Sequence, residues 1–223
     1  MMTAPALGLL FDLDGTMANS DPAHFAAFNA LLAPHGRSID QAEFHAHIVG
    51  GANAQIMRRL FPELDEAAHR ELADRKEALF RASGDRIEPI AGLHALLAPM
   101  AAAGVPVGVV TNAPRRNAEH MLGALGLAHL LDTVVIGEEV GRGKPDPLPY
   151  RTGLERLGLP ANRVIAFEDS RAGIRSATGA GLFTVGMTTN LPAEALREAG
   201  AGLTAPDFED PALLALIDTR LAA

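Results

Sequence analysis

The sequence predicts an α/β fold, a doubly wound parallel sheet core with a helical segment inserted after its first strand. Three observations carry that prediction. Five short segments are apolar almost without interruption, the pattern of strands buried on both faces. Helical periodicities lie between them, so strand and helix alternate as right-handed crossover units require. From about Pro22 to Arg86 the rhythm changes: apolar residues recur at spacings of three and four, and no strand pattern occurs.

Taken in order, the first strand is Leu7–Asp12 (LGLLFD). The inserted region follows, with Phe25, Phe28, Leu31 and Leu32 on one helix and Ile56, Met57, Leu60 and Phe61 on another. Leu72, Leu79 and Phe80 mark a third, and Gly50-Gly51 is a break between helices. Its exits are Thr16–Asp21 and Ser83-Gly84 to Pro89, which assigns 1–16 and 89–223 to the core and 17–88 to the insertion. A helix over Leu93–Ala103 ends at Gly104, a C′ glycine, before the strand Val105–Thr111. The stretch from Pro114 is helical, with Ala118, Met121, Leu122 and Leu125 on one face, and Val134–Gly137 is the next strand. Asp146-Pro147 and Asp210-Pro211 read as N-cap and N1 pairs opening two more helices. Arg163–Glu168 and Leu182–Val185 complete the strands of a Rossmann-like core.

Composition bounds the chemistry. The 223 residues are 48% hydrophobic, enough for one packed core and a small insertion. Without cysteine there is no disulfide, thiolate zinc site, iron–sulfur cluster or cysteine nucleophile. A formal charge of −8 argues against nucleic acid or an anionic membrane as the main partner. The apolar run at the N-terminus ends at Asp12, too short for a signal peptide or a bilayer span, so a cytoplasmic location is expected. The cations are uneven: seventeen Arg, but only Lys76 and Lys144 as Lys. Lys76, in the run Arg75-Lys76-Glu77, reads as part of a solvated helix face.

Ligands of open α/β sheets bind outside the carboxyl ends of the strands. There the predicted strands deliver Asp12-Leu13-Asp14-Gly15-Thr16, Thr111-Asn112 and Glu168-Asp169-Ser170. Carboxylates crowded together repel and raise one another's pKa values unless a cation sits among them, and hard oxygen ligands suit Mg²⁺. Lys144 lies in Gly141-Arg142-Gly143-Lys144-Pro145-Asp146-Pro147, with an extended backbone favoured by Pro145. A cation before a helix is disfavoured by the helix dipole, so its placement there serves to hold an anion or to neutralise carboxylates. The glycines at 141 and 143 do not form a Walker loop, because Pro145 follows the lysine where Ser or Thr is needed.

These pieces resemble the four motifs of the haloacid dehalogenase-like superfamily: Asp12–Thr16 the first, Thr111 the second, Lys144 the third and Glu168-Asp169 the fourth. All four stand in order, and the inserted helices resemble the superfamily's helical cap, as in β-phosphoglucomutase and phosphoglycolate phosphatase. The resemblance implies that Asp12 is a nucleophile forming an aspartyl-phosphate, and that Asp14 is the general acid and base. It further implies Mg²⁺ held by Asp12, the Asp14 carbonyl, Asp169 and Glu168, the last directly or through water. Thr111, the Asn112 backbone N–H and Lys144 would bind phosphoryl oxygens. The superfamily's dehalogenases lack the second carboxylate, so Asp14 favours phosphoryl transfer.

The expected activity is Mg²⁺-dependent hydrolysis of a small phosphorylated metabolite, such as a sugar phosphate or phosphoglycolate. A phosphosugar mutase is the alternative; it needs a cap cation near Gly50-Gly51-Ala52-Asn53-Ala54, where only Arg58 is at hand. A non-catalytic binding protein on the same scaffold is the third reading. His24, twelve residues after Asp12, is read either as a substrate-side residue or as a helix residue packed beside Phe25. Asn53, Arg58 and Arg115 are further substrate-side candidates, Arg115 through its nearness to Thr111-Asn112. His45 and His47, an isolated i, i+2 pair, read as structural. Hinging at 16–21 and 83–90 is expected to gate the site.

Overall fold

A computed structural model describes residues 7–49, 51, 53–82 and 87–222. The chain divides into two compact units, Met1–Asn19 with Glu88–Ala223, and Ser20–Ile87. Residues 17–19, expected in the insertion, belong with the larger unit for a local reason. Ala18–Asn19 (β2) and Glu88–Pro89 (β3) pair antiparallel, and the Ile90 N–H donates to the Met17 carbonyl at 2.9 Å. Gly50 of the expected break, Ala52 of the Gly50–Ala54 stretch and Ser83-Gly84 of the expected exit lie outside the described residues.

The smaller unit holds four α-helices and no strand among its described residues: α1 (Asp21–Leu32), α2 (Gln41–His47), α3 (Asn53–Leu60) and α4 (Glu66–Ala82). A capping box opens α2, where the Asp40 carboxylate accepts from Glu43 N at 2.8 Å and the Glu43 side chain accepts from Asp40 N at 3.1 Å. Phe28, Leu31, Leu32, Ile56, Met57, Leu60 and Phe61 join one buried cluster, completed by Phe44 and Ile48. The spacings of three and four therefore mark the inward stripe of each helix.

In the larger unit β1 (Gly8–Phe11) is followed, after β2 and β3, by α5 (Leu93–Ala102) and β4 (Val107–Thr111). Then come α6 (Arg115–Ala124), β5 (Thr133–Ile136), α7 (Leu148–Leu157), β6 (Val164–Glu168), α8 (Arg171–Gly179) and β7 (Phe183–Met187). The unit closes with α9 (Ala193–Ala199), β8 (Leu203–Ala205) and α10 (Pro211–Leu221). Six strands form one parallel sheet in the order β5-β4-β1-β6-β7-β8. From β1 the chain steps outward to β4 and β5, then returns to the other side of β1 and runs through β6, β7 and β8. That reversal puts a topological switch beside β1, and crevices form outside the carboxyl ends of strands at such a point.

Side chains alternate across the sheet. Leu10, Val110 and Ala166 pack with Tyr150 and Ala177 on one face. On the other, the rings of Phe11 and Phe167 stack at 4.5 Å, and Phe208 meets both edge-on at 5.7 and 5.6 Å. Burial of one such ring contributes about 1.5–3 kcal/mol, so this cluster fixes the ends of β1 and β6 from which the site residues project. Gly104, at φ 71°, ends α5 as expected, and Asp210 caps α10 by accepting from Ala212 N and Leu213 N. The Asp146-Pro147 expectation is corrected by one residue. The helix begins at Leu148 with Pro147 as N-cap, while the Asp146 carboxylate still accepts from Leu148 N at 2.9 Å.

Candidate active site

Asp12 leaves β1 with its N–H bonded to the Phe167 carbonyl of β6 at 2.9 Å, so the two strand ends are tied side by side. The chain then turns through Gly15, at φ +71°, where a Cβ would lie 2.4 Å from Oδ2 of Asp169. Only glycine suits both the conformation and the approach. The loop after β7 holds the same corner: Thr189 Oγ1 donates to the Gly15 carbonyl at 2.6 Å, and Asn190 Nδ2 donates to Asp169 Oδ2 at 2.8 Å. Asp14 is half-buried at a bridge to Ala18.

Lys144 is brought in from the loop before α7. The Asn112 side chain fixes its backbone, with Oδ1 accepting from Lys144 N at 2.9 Å and Nδ2 donating to Lys144 O at 3.1 Å. Its Nζ reaches Asp12 Oδ1 and Glu168 Oε1, each at 2.5 Å. The Lys144–Pro145 peptide bond is cis. Thr111, buried at the end of β4, accepts from Ala113 N through Oγ1 at 2.9 Å, which leaves its hydroxyl proton to give.

Glu168 is held at both oxygens. Oε1 accepts from Tyr150 OH at 2.8 Å as well as from Lys144, and Oε2 accepts from Ser170 Oγ at 3.3 Å. Ser170 is also the N-cap of α8, accepting from Gly173 N at 3.0 Å. A Cβ on Gly173 would fall 1.8 Å from Glu168 Oε2.

Asp12, Glu168 and Asp169 each offer a carboxylate oxygen within 4.8 Å of the others, and all three are buried. Burial, with Glu168, Asp169 and Asp14 nearby, pushes the Asp12 carboxyl well above the usual carboxylate range despite Lys144. Burial and Glu168 push Asp169 up to about 7, against the opposing pull of Asn190 and Lys144. Burial alone would lower Lys144, but Asp12 and Glu168 outweigh it and hold it as an ammonium. Tyr150 is raised well above the ordinary phenol value, by burial and then by Glu168, so it stays a donor. Among the described residues, these three carboxylates and the Lys144 ammonium form a buried site that, once all three acids are ionised, carries a formal charge of −2 on oxygen ligands. This donor set fits a hard divalent cation.

The substrate-side candidates fare differently. Arg58 forms a two-pronged pair with Glu66, Nε to Oε1 at 2.6 Å and Nη2 to Oε2 at 2.9 Å. Arg115 is gripped by the Glu139 carboxylate and lies 3.7 Å from Glu119. Both guanidinium groups are thus taken up by acids in the structure. Lys76 is a correction: it is 3% exposed, not a solvated face. Its Nζ lies 2.9 Å from His24 Nδ1 and 3.0 Å from Glu77 Oε1, and sits over the rings of Phe28 and Phe80. Asn53 Nδ2 donates to Glu77 Oε1 at 2.6 Å, and the His24 ring stacks on Phe80 at 4.1 Å rather than on Phe25. His45 and His47 are exposed at the end of α2.

Sequence reasoning missed Tyr150, Asn190, Thr189 and the double role of Ser170. Tyr150 had one available signal, as the chain's only tyrosine. Asn190 and Thr189 had none, since only tertiary approach brings their loop to Gly15 and Asp169.

Among the described residues no helix is long and apolar enough to cross a membrane. The family described as haloacid dehalogenase-like hydrolase matches residues 9–187. The validoxylamine A 7′-phosphate phosphatase of Streptomyces hygroscopicus subsp. limoneus is 37% identical over 201 residues, 85% of this chain and 89% of that protein. A phosphoglycolate phosphatase of Xylella fastidiosa is 34% identical over 179 residues, 78% and 76% of the two chains. Among solved structures, CbbY from Rhodobacter sphaeroides in complex with xylulose-(1,5)bisphosphate superposes with a TM-score of 0.77 at 27% identity. It covers 91% of this chain and 95% of its own.

Proposed function

The chain belongs to the haloacid dehalogenase-like hydrolase family as one of its phosphatases, and from that premise we propose a Mg²⁺-dependent reaction through an aspartyl-phosphate on Asp12. The substrate is a small phosphorylated metabolite of the sugar phosphate or phosphoglycolate kind. What supports this reading most is the buried Asp12–Glu168–Asp169 cluster with Lys144 at its centre.

Asp12 attacks phosphorus; a new P–O bond forms as the bond to the leaving oxygen breaks. Asp14 gives its proton to that oxygen, then takes one from the water that hydrolyses the acyl phosphate, regenerating Asp12 and releasing inorganic phosphate. Lys144, the Thr111 hydroxyl and the Asn112 N–H bind the phosphoryl oxygens as charge spreads over them. Asp12, Glu168, Asp169 and the Asp14 carbonyl would hold Mg²⁺. When bound, the ion neutralises the carboxylates and draws charge from a phosphoryl oxygen.

The mutase alternative assigns a second phosphate to Arg58, whose guanidinium is paired with Glu66. Release of phosphate from a panel of phosphomonoesters with Mg²⁺ tests the reading. Activity is expected on small sugar phosphates or phosphoglycolate and lost in Asp12→Asn. An inert wild type, or an active Asp12→Asn, would overturn it.

A further inference from the structure

The only tyrosine of the chain stands under the candidate active site with its hydroxyl committed to one carboxylate oxygen. The ring of Tyr150 is wholly buried against Leu10, Val110 and Ala166, which fixes the direction in which the O–H can point. A phenylalanine would fill the same space without placing a hydroxyl in an apolar core, where an unbonded one is costly. The hydroxyl is bonded, at 2.8 Å, to the Glu168 Oε1 that Lys144 also approaches at 2.5 Å. Two donors fill the lone pairs of that oxygen. The ammonium of Lys144 also lies over the Tyr150 ring, 5.3 Å from its centroid, within cation–π range.

An ammonium has three N–H groups. Two are directed at Asp12 Oδ1 and Glu168 Oε1, and the third direction follows from them. The terminal torsion of a Glu side chain is soft, so its carboxylate turns unless donors pin it. Loss of the Tyr150 hydroxyl leaves the carboxylate to the longer Ser170 contact at 3.3 Å and to the ammonium itself, so Oε1 turns more easily and the ammonium with it.

We propose that Tyr150 is a positioning residue for phosphoryl transfer, holding Oε1 of Glu168, and through it the Lys144 ammonium, in the orientation that leaves one N–H for a phosphoryl oxygen. The proposal rests on the phosphatase reading of the same site.

The test is Tyr150→Phe, which keeps the ring and removes only the hydroxyl. With p-nitrophenyl phosphate and Mg²⁺, kcat is expected to fall about tenfold, the scale of one hydrogen bond to a charged group, with KM within about twofold. Orthovanadate, a mimic of the five-coordinate phosphoryl group, should bind about tenfold more weakly by calorimetry, a readout independent of turnover. Wild-type kcat, or a fall in kcat with unaltered vanadate affinity, would overturn the proposal. Should Tyr150→Phe not fold, 3-fluorotyrosine incorporation labels this one position. Its ¹⁹F resonance is expected to shift on addition of vanadate, and an unmoved resonance would sink the idea. A wild type inert toward every phosphomonoester would defeat the phosphatase reading instead.

Discussion

Asn112 holds the backbone of Lys144 at both ends, its Oδ1 accepting from Lys144 N at 2.9 Å and its Nδ2 donating to Lys144 O at 3.1 Å. The amide side chain thus reproduces the pairing of a neighbouring strand, at a point where the chain is a loop. The clasp joins the end of β4 to the segment that carries Lys144, the cation that reaches Asp12 and Glu168. Removing it in Asn112→Ala should let Lys144 drift, lowering kcat/KM by about tenfold or more, since such a displacement costs an aligned charge its effect. Steady-state kinetics with a phosphomonoester checks this. Unchanged kcat/KM would mean that the carboxylates alone place the lysine.

Gly173 sets two rules of helix chemistry against each other. Within a helix, Gly→Ala ordinarily stabilises by about 0.5–1 kcal/mol. Here the added Cβ would fall 1.8 Å from Glu168 Oε2, so the carboxylate must move or α8 must shift. Gly173→Ala is therefore expected to lower the urea midpoint and to weaken the stabilisation by Mg²⁺. A more stable variant with full Mg²⁺ response would contradict the close approach.

Metal removal should be felt most at alkaline pH. In the metal-free protein burial and Glu168 raise Asp169 to about 7, above its unfolded value. A raised carboxyl pKa contributes stability that is fully present below the unfolded value and is lost as pH rises through about 7. The destabilisation by EDTA, measured as a drop in melting temperature against Mg²⁺-loaded protein, should accordingly be larger at pH 8 than at pH 6. An equal drop at both would mean that Asp169 is ionised throughout in the metal-free chain.

The candidate site is legible in the sequence where its residues sit at strand ends. Asp12, Thr111 and Glu168-Asp169 each follow an apolar run that becomes β1, β4 or β6, and parallel strands deliver their carboxyl ends to one edge. Periodicity likewise found the stripe Ile56, Met57, Leu60 and Phe61. It could not find β8 or the β2–β3 pair, which are two or three residues long and lack an apolar run of their own. Lys76 was misread because its neighbours in sequence are charged. Its burial depends on His24, fifty-two positions away, and on rings of Phe28 and Phe80 that no local pattern reveals. Tyr150 and Asn190 act by tertiary contact on Glu168 and Asp169, so a motif search passes over them.

In the proposed reaction Asp12 itself carries the phosphoryl group. Acid-quenched turnover followed by mass spectrometry of the peptide bearing Asp12 tests it directly. The expected result is one added phosphoryl group on Asp12, absent when Mg²⁺ is removed and absent in Asp12→Asn. Steady turnover with no phosphorylated Asp12 in the quenched enzyme, together with retained activity in Asp12→Asn, would contradict it.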